Sequence, residues 1–343
     1  MKTVRHLLLI VLFFASASGF AQTQQIDSIK FFQDESVIDV TLEMDMKDLL
    51  GKKQNERFLP ATISMDFRDG TSITEKIRVS VRGNFRREQC YMPGLKLDFH
   101  NPTSPRLYKL DKLKMVCGCS SGSENEQLVL KEYLVYKMYN QFTERSLRAR
   151  LMKVTFKDAA GKKKPYVQHA FFIEDVDEMA KRHKMIEVEG ATYHTELTDR
   201  QQMTMVAMFQ YMIGNTDWSV PNYHNIKLMG MKDDKTSRPI AVPYDFDICG
   251  FVDPAYATVD EQLNIENVKQ RLYRGFARSM DELQSTIKIF NEKKDVVYAL
   301  IQSFPLLDQK HKQNCISFID EFYRTINSPK IVQTVFIDDS RSN

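Results

Sequence analysis

The chain has 343 residues, 43% hydrophobic and 27% charged, which is ordinary for a globular protein and long for one compact core. Its 48 basic residues against 45 acidic ones exclude the strongly basic balance of a nucleic-acid binder. After the first twenty residues no run of eighteen apolar residues occurs, so no membrane span is expected.

The first stretch, MKTVRHLLLIVLFFASASGFAQ, sets Lys2 and Arg5 before an apolar run from Leu7 to Phe14 and small residues ending at Ala21. That is the pattern of a cleavable secretory signal. Cleavage near Ala21 removes Lys2 and Arg5, leaves 46 basic against 45 acidic groups, and delivers the mature chain to the periplasm or the exterior. No Cys follows the run, so no lipid anchor is expected. Export lets the five cysteines form up to two disulfides. Cys117 and Cys119 are too close to pair with each other easily, which points to a longer bridge to Cys90.

From Ser36 to Phe99 the pattern is mostly strand. SVIDVTLEMDM alternates; ATISMDF and ITEKIRVSVRG flank Asp69-Gly70 as a hairpin; PGLKLDF is a short strand carrying Lys96. Ser123 to Glu126 reads as a capping box before the helix QLVLKEYLVYKMYNQF, which carries Glu132. RLMKVTFKD and KPYVQHAFFIE form a second hairpin around Gly161. Beyond it, Thr198 caps MTMVAMFQYMI, whose Met203, Met205, Met208 and Met212 read as core packing. Ser279 opens a helix running toward Leu300, and LDQKHKQNCISFIDEFYRTI is the last helix. The expected organisation is a signal at 1–21, a β-rich part at 22–174 with one helix, a helical part at 175–330, and a partly ordered tail at 331–343.

Two polar loops carry the chemistry. Phosphoryl transfer asks of a protein a carboxylate near the attacking hydroxyl, ligands for a divalent cation, and positive charge on the phosphates. In IGNTDWSVPNYHNIKL, Asp217 would orient or deprotonate the acceptor hydroxyl. Asn222 lies five positions later, a kinase-like spacing, whereas Asn225 lies directly before an apolar run, the kinase-like topological position. Rigidity favours Asn225 as metal ligand, because a strand start holds a side chain better than a loop after Pro221. In VPYDFDICG, Asp245 would chelate Mg²⁺ or Mn²⁺ and Asp247 could share the ion. Lys96 would reach the phosphates of ATP with Glu132 as its partner. VRGNFRRE holds a single glycine, so Arg82 and Arg86 would cover the nucleotide by charge instead of by backbone amides.

Three segments, VSVRGNFRREQCYMPGLKLDF, IGNTDWSVPNYHNIKL and VPYDFDICG, resemble the spore-coat protein H (CotH) kinase family, over about half of the chain from Val79 to Gly250. GNTD and the downstream YD are also similar to HipA-like kinases. The resemblance implies an α+β, atypical protein-kinase-like two-lobed fold, with a β-rich N-terminal lobe and a mainly helical C-terminal lobe. It implies an exported kinase with Asp217 catalytic, Asn225 and Asp245 on the metal, and Lys96 on the nucleotide. The acceptor would be a hydroxyl of a protein or glycan in the cell envelope. Tyr244 stands where the family has Trp, and Pro93-Gly94 where it often has paired lysines.

Each signal also has a plain structural reading. Asn215, Asp217 and Asn222 are turn formers, Lys96 and Glu132 suit solvated faces, and Asp245 could cap a segment. His169, His194 and His224 form no spaced metal motif, and His224 reads as a loop hydrogen-bonding group. The competing functions are a kinase-like envelope scaffold without turnover and a hydrolase using Asp217 and Asp245 as paired acids.

Overall fold

The computed structural model describes residues 31–53, 57–108, 110–190 and 192–341. The signal segment 1–21 lies outside them. Seven strands form the first architectural unit: β1 (Ile38–Met44), β2 (Leu59–Asp66), β3 (Ser72–Arg82), β4 (Gly94–Asp98), β5 (Lys112–Cys117), β6 (Ala149–Asp158) and β7 (Tyr166–Ile173). They run in the order β1-β2-β3-β4-β5-β7-β6, and β1 closes the ring by pairing in parallel with β6, from Ile38 opposite Met152 to Met44 opposite Asp158. Closure removes the exposed edges an open sheet would leave. The alternation of β1 points Ile38, Val40, Leu42 and Met44 inward, where they meet Met115, Phe156 and Phe172. Outward positions of β3, β4 and β5 carry Arg82, Lys96 and Lys114 instead, because side chains alternate across a strand.

β5 was not expected from the sequence. Its two lysines, Lys112 and Lys114, mask an alternation in which Leu113, Met115 and Cys117 face the barrel core. Asp69-Gly70 does turn the chain, with Gly70 at φ +84°, but in a five-residue connection in which Phe67 N–H donates to Thr71 O at 2.9 Å.

The second unit is built on a long helix, α3 (Ser123–Phe142), which follows two short ones, α1 (Met46–Gly51) and α2 (Asn84–Gln89). α3 is buried on nearly every side because it lies between the outer wall of the barrel and the later helices. Its capping box does not form: Ser123 is already helical, and Glu126 accepts instead from the backbone and ring of His169. After α4 (Val176–Arg182) comes an antiparallel sheet in the order β10-β9-β8, from β8 (Met185–Glu187), β9 (Ile226–Met231) and β10 (Ile240–Pro243). The helix α5 (Arg200–Ile213) packs on β10, with Met203, Met205, Met208 and Met212 all buried; its N-cap is Asp199 and not Thr198.

Ser279 does form a full capping box with Glu282, but the expected single helix breaks at Lys293 into α6 (Met280–Glu292) and α7 (Lys294–Gln302). The last long helix, α8 (Gln309–Ile326), ends where expected but starts two residues later, with Asp308 as its N-cap, and the short α9 (Pro329–Gln333) follows it. In the described part of the tail, up to residue 341, Val332 and Phe336 are fully buried and Arg341 N–H donates to Gly275 O at 3.0 Å.

The expected kinase-like two-lobed fold with a mainly helical second lobe is therefore corrected. Seven strands close into a mixed barrel, because β5 completes the meander and β1 joins β6, and the second half contains a sheet of its own. Among the described residues no helix is long and apolar enough to cross a membrane. The expected long-range disulfide is present, between Cys90 and Cys119; Cys117, Cys249 and Cys315 are buried thiols.

Candidate active site

The first acidic loop starts where α5 must stop. Gly214 sits at φ +65°, and a Cβ there would lie 2.9 Å from Phe318, so only glycine makes the turn. Asn215 then braces the loop from inside: its Nδ2 donates to Gln210 Oε1 at 3.0 Å, and its Oδ1 accepts from Asp217 N–H at 2.8 Å. Arg274 donates to the carbonyls of Thr216 and Trp218 on either side of Asp217. The Asp217 carboxylate is consequently held in place. His224 Nε2 lies 2.6 Å from its Oδ1, and Asn225 Nδ2 donates to its Oδ2 at 3.0 Å.

Asn225 occupies the left-handed region at φ +52°, which Asn tolerates better than most residues. Its backbone carbonyl accepts from Tyr244 N–H at 3.0 Å, and this ties the first loop to the second at the end of β10. Asp245 is itself left-handed, at φ +61°, and its N–H donates to the hydroxyl of Tyr136 on α3 at 3.0 Å. Phe246 anchors the second loop: it is fully buried, with its ring edge-to-face on Tyr136 at 4.8 Å. Pinning Phe246 inward leaves Asp245 and Asp247 at the site.

The barrel wall and α3 supply the opposing charges. Arg82 Nη2 lies 4.0 Å from Asp245 Oδ2. Lys114 Nζ lies 4.8 Å over the Tyr244 ring, and burial, with Arg82 beside it, pushes its pKa down to about 8 against the opposing pull of Asp245. Burial and then the charge of Asp245 push Asp247 up to about 6, while Arg86 and Arg82 work the other way. Glu132 is shifted well above the usual carboxylate range by its burial and by Asp247 and Asp245.

Of the sequence candidates, Asp217, Asn225, Asp245, Asp247, Glu132, Arg82 and Arg86 are thus brought into one electrostatic neighbourhood. Asn222 lies exposed on a cavity beside Asp217 and makes none of the bonds that Asn225 makes to it. Lys96 pairs across the strands with Lys114 and lines a cleft with Asp175, Glu178 and Lys181, while the cations facing Glu132 are Arg86 and Arg82; the expected Lys96–Glu132 pair is not formed. The sequence reading missed Lys114, Arg274 and the Tyr136 hydroxyl. Tyr136 lies one helical turn after Glu132, and that spacing was available as a signal.

Among the described residues, no three His, Cys, Asp or Glu side chains converge closely enough to enclose a metal. The oxygen donors Asp245, Asp247 and Asn225 nevertheless suit a hard cation, which usually takes only one or two carboxylates from a protein and completes its shell with water and phosphate. Glu132 Oε1 is buried without a hydrogen-bond partner next to Asp247, so the acidic side of the site is under-compensated and fits a bound cation. The chain matches no family model, and no curated protein matches it in sequence.

Proposed function

We propose that the protein is an exported, metal-dependent phosphotransferase that moves the γ-phosphoryl group of ATP onto a hydroxyl of a protein or glycan in the cell envelope. The observation that supports this reading is the joining of the two acidic loops through Asn225, whose side chain bonds Asp217 and whose carbonyl accepts from Tyr244 N–H next to Asp245. Asp245 and Asp247, with the side-chain carbonyl of Asn225, would hold Mg²⁺ or Mn²⁺. The ion, when bound, neutralises charge on the phosphates.

The chain's own groups supply the rest. Lys114 and Arg82, on the outer barrel wall, offer positive charge to the triphosphate, and Arg86 offsets Asp247 and Glu132 from below. Asp217 orients the acceptor hydroxyl and takes its proton, while His224 and Asn225 fix the carboxylate so that no reorientation is needed at the moment of reaction. The Cys90–Cys119 disulfide supports export, since such bonds persist in oxidising compartments.

The test is incubation of the purified mature chain with labelled ATP and Mn²⁺, followed by mass spectrometry of the products. Metal-dependent transfer that Asp217→Ala abolishes while nucleotide binding persists is the expected result. Nucleotide binding without any turnover would instead assign the protein as an envelope scaffold or binding protein.

A further inference from the structure

Beside Asp217 a cavity opens between three separate stretches of chain: the loop 216–224, the segment 258–263 and Arg274. Ser219, Asn222, Thr258 and Asp260 give it hydroxyl, amide and carboxylate groups, and only Trp218 and Leu263 in its wall are apolar. Its two carboxylates, Asp217 and Asp260, face one arginine, Arg274. His224 and Asn225 occupy the two oxygens of Asp217, and Arg274 bears the positive charge facing both Asp217 and Asp260.

This arrangement restricts the ligand. An acidic or phosphorylated acceptor would meet two carboxylates against a single arginine, Arg274, whose Nη1 already donates to the carbonyls of Thr216 and Trp218. A basic acceptor would find Asp217 already holding His224 and Asn225, and Asp260 accepting from the Gln262 N–H with Arg274 nearby. Among the described residues no named strand contributes to the wall; the Ser219–His224 bridge pairs within the loop itself, so an extended peptide has no ladder to join. What remains is a set of hydroxyl, amide and carboxylate groups around the reactive Asp217, suited to bonding hydroxyls.

We infer, resting on the phosphoryl-transfer reading, that this cavity is the acceptor site and takes a neutral polyhydroxylated sugar. One sugar hydroxyl faces Asp217 while Asn222, Thr258 and Asp260 bond its neighbours. In the transfer the hydroxyl oxygen forms the new bond to the γ-phosphorus, the bond from that phosphorus to the bridging oxygen breaks, ADP leaves with the electron pair, and the proton passes to the Asp217 carboxylate. A site built to bond hydroxyls discriminates strongly against ligands that leave those groups unpaired.

The test incubates the purified chain with γ-labelled ATP and Mn²⁺, with either neutral oligosaccharides (maltotriose, xylotriose and the trimer of N-acetylglucosamine) or a basic Ser-containing peptide. Mass spectrometry should find one phosphate on a saccharide, and Asp260→Asn and Thr258→Val should each raise the saccharide KM about tenfold with a much smaller change in kcat. Phosphate on the peptide and on no saccharide, or a saccharide KM unmoved by both substitutions, overturns the assignment. A thermal shift with Mn²⁺ and ADP separates that failure from a deeper one: without a nucleotide-dependent shift the phosphoryl-transfer reading itself fails, and the acceptor site falls with it.

Discussion

Asn225 is bonded to Asp217 twice, its Nδ2 donating to the backbone carbonyl at 2.8 Å and to Oδ2 at 3.0 Å. Its own carbonyl accepts from Tyr244 next to Asp245. One residue therefore sets the spacing of two carboxylates that lie 28 positions apart in sequence, and its left-handed backbone makes that geometry possible.

Substitution at Asn225 separates the backbone role from the side-chain role. Asn225→Gly keeps the positive φ and removes the amide, whereas Asn225→Ala also strains the backbone by roughly 1 kcal/mol. Both should lose about tenfold or more in Mn²⁺-dependent nucleotide affinity and both should melt earlier than wild type for want of the two bonds to Asp217, the alanine variant carrying the backbone strain in addition. A glycine variant with wild-type affinity in calorimetry would remove Asn225 from the cation site.

Lys114 and Lys96 are cross-strand neighbours, and it is Lys114 whose Nζ lies over the Tyr244 ring, with its pKa lowered to about 8 by burial and then by Arg82. Lys114→Met should weaken ATP binding about tenfold, on the order of one lost charge-assisted hydrogen bond, and Lys96→Met should weaken it less. Because the Lys114 pKa lies at about 8, affinity should fall as pH rises through that value, and the fall should vanish in Lys114→Met. Equal losses for the two variants would return the phosphate-binding role to Lys96.

The raised pKa of Asp247 fixes the sign of a stability effect. Below about pH 4 folded and unfolded chains both carry the proton; between about 4 and 6 only the folded chain does; above that neither does. Protein kept metal-free with chelator should therefore lose stability through that window relative to Asp247→Asn, by roughly 3 kcal/mol at most. Denaturant melts of both proteins at pH 4 and pH 7 measure the difference, and parallel curves would mean that Asp247 is not held by these carboxylates.

The disulfide fastens α2, which carries Arg86, to the turn before α3, which carries Glu132, across a separation of 29 residues. Loop closure over that length stabilises the folded state by about 3–4 kcal/mol. Reduction, or Cys90→Ser with Cys119→Ser, should lower Tm by several degrees and weaken nucleotide binding, because Arg86 also donates to Cys117 O and loses its anchor. Unchanged nucleotide affinity after reduction would show that the bridge serves stability alone.

The acidic loops were legible because their signals are local: Gly214 stops a helix, Asn225 opens a strand, and Phe246 between two aspartates can only point inward. The partner of Glu132 was not legible. Lys96 and Lys114 both alternate with buried apolar residues on adjacent strands, and which of them faces Asp245 is decided by how the barrel sits against α3 and the second sheet, a long-range matter that periodicity does not encode. Barrel closure was hidden for the same reason. The pairing of β1 with β6 joins segments more than a hundred residues apart, and no local pattern in SVIDVTLEMDM selects it.

Titration calorimetry of a non-hydrolysable ATP analogue, with and without Mn²⁺, into the wild-type chain and Asp245→Asn tests the central claim most directly. Binding that requires Mn²⁺ in the wild type and is lost or weakened at least tenfold in Asp245→Asn is the expected result. Absence of binding to the wild type, or metal-independent binding that Asp245→Asn leaves untouched, would contradict a cation held beneath a triphosphate by these two loops.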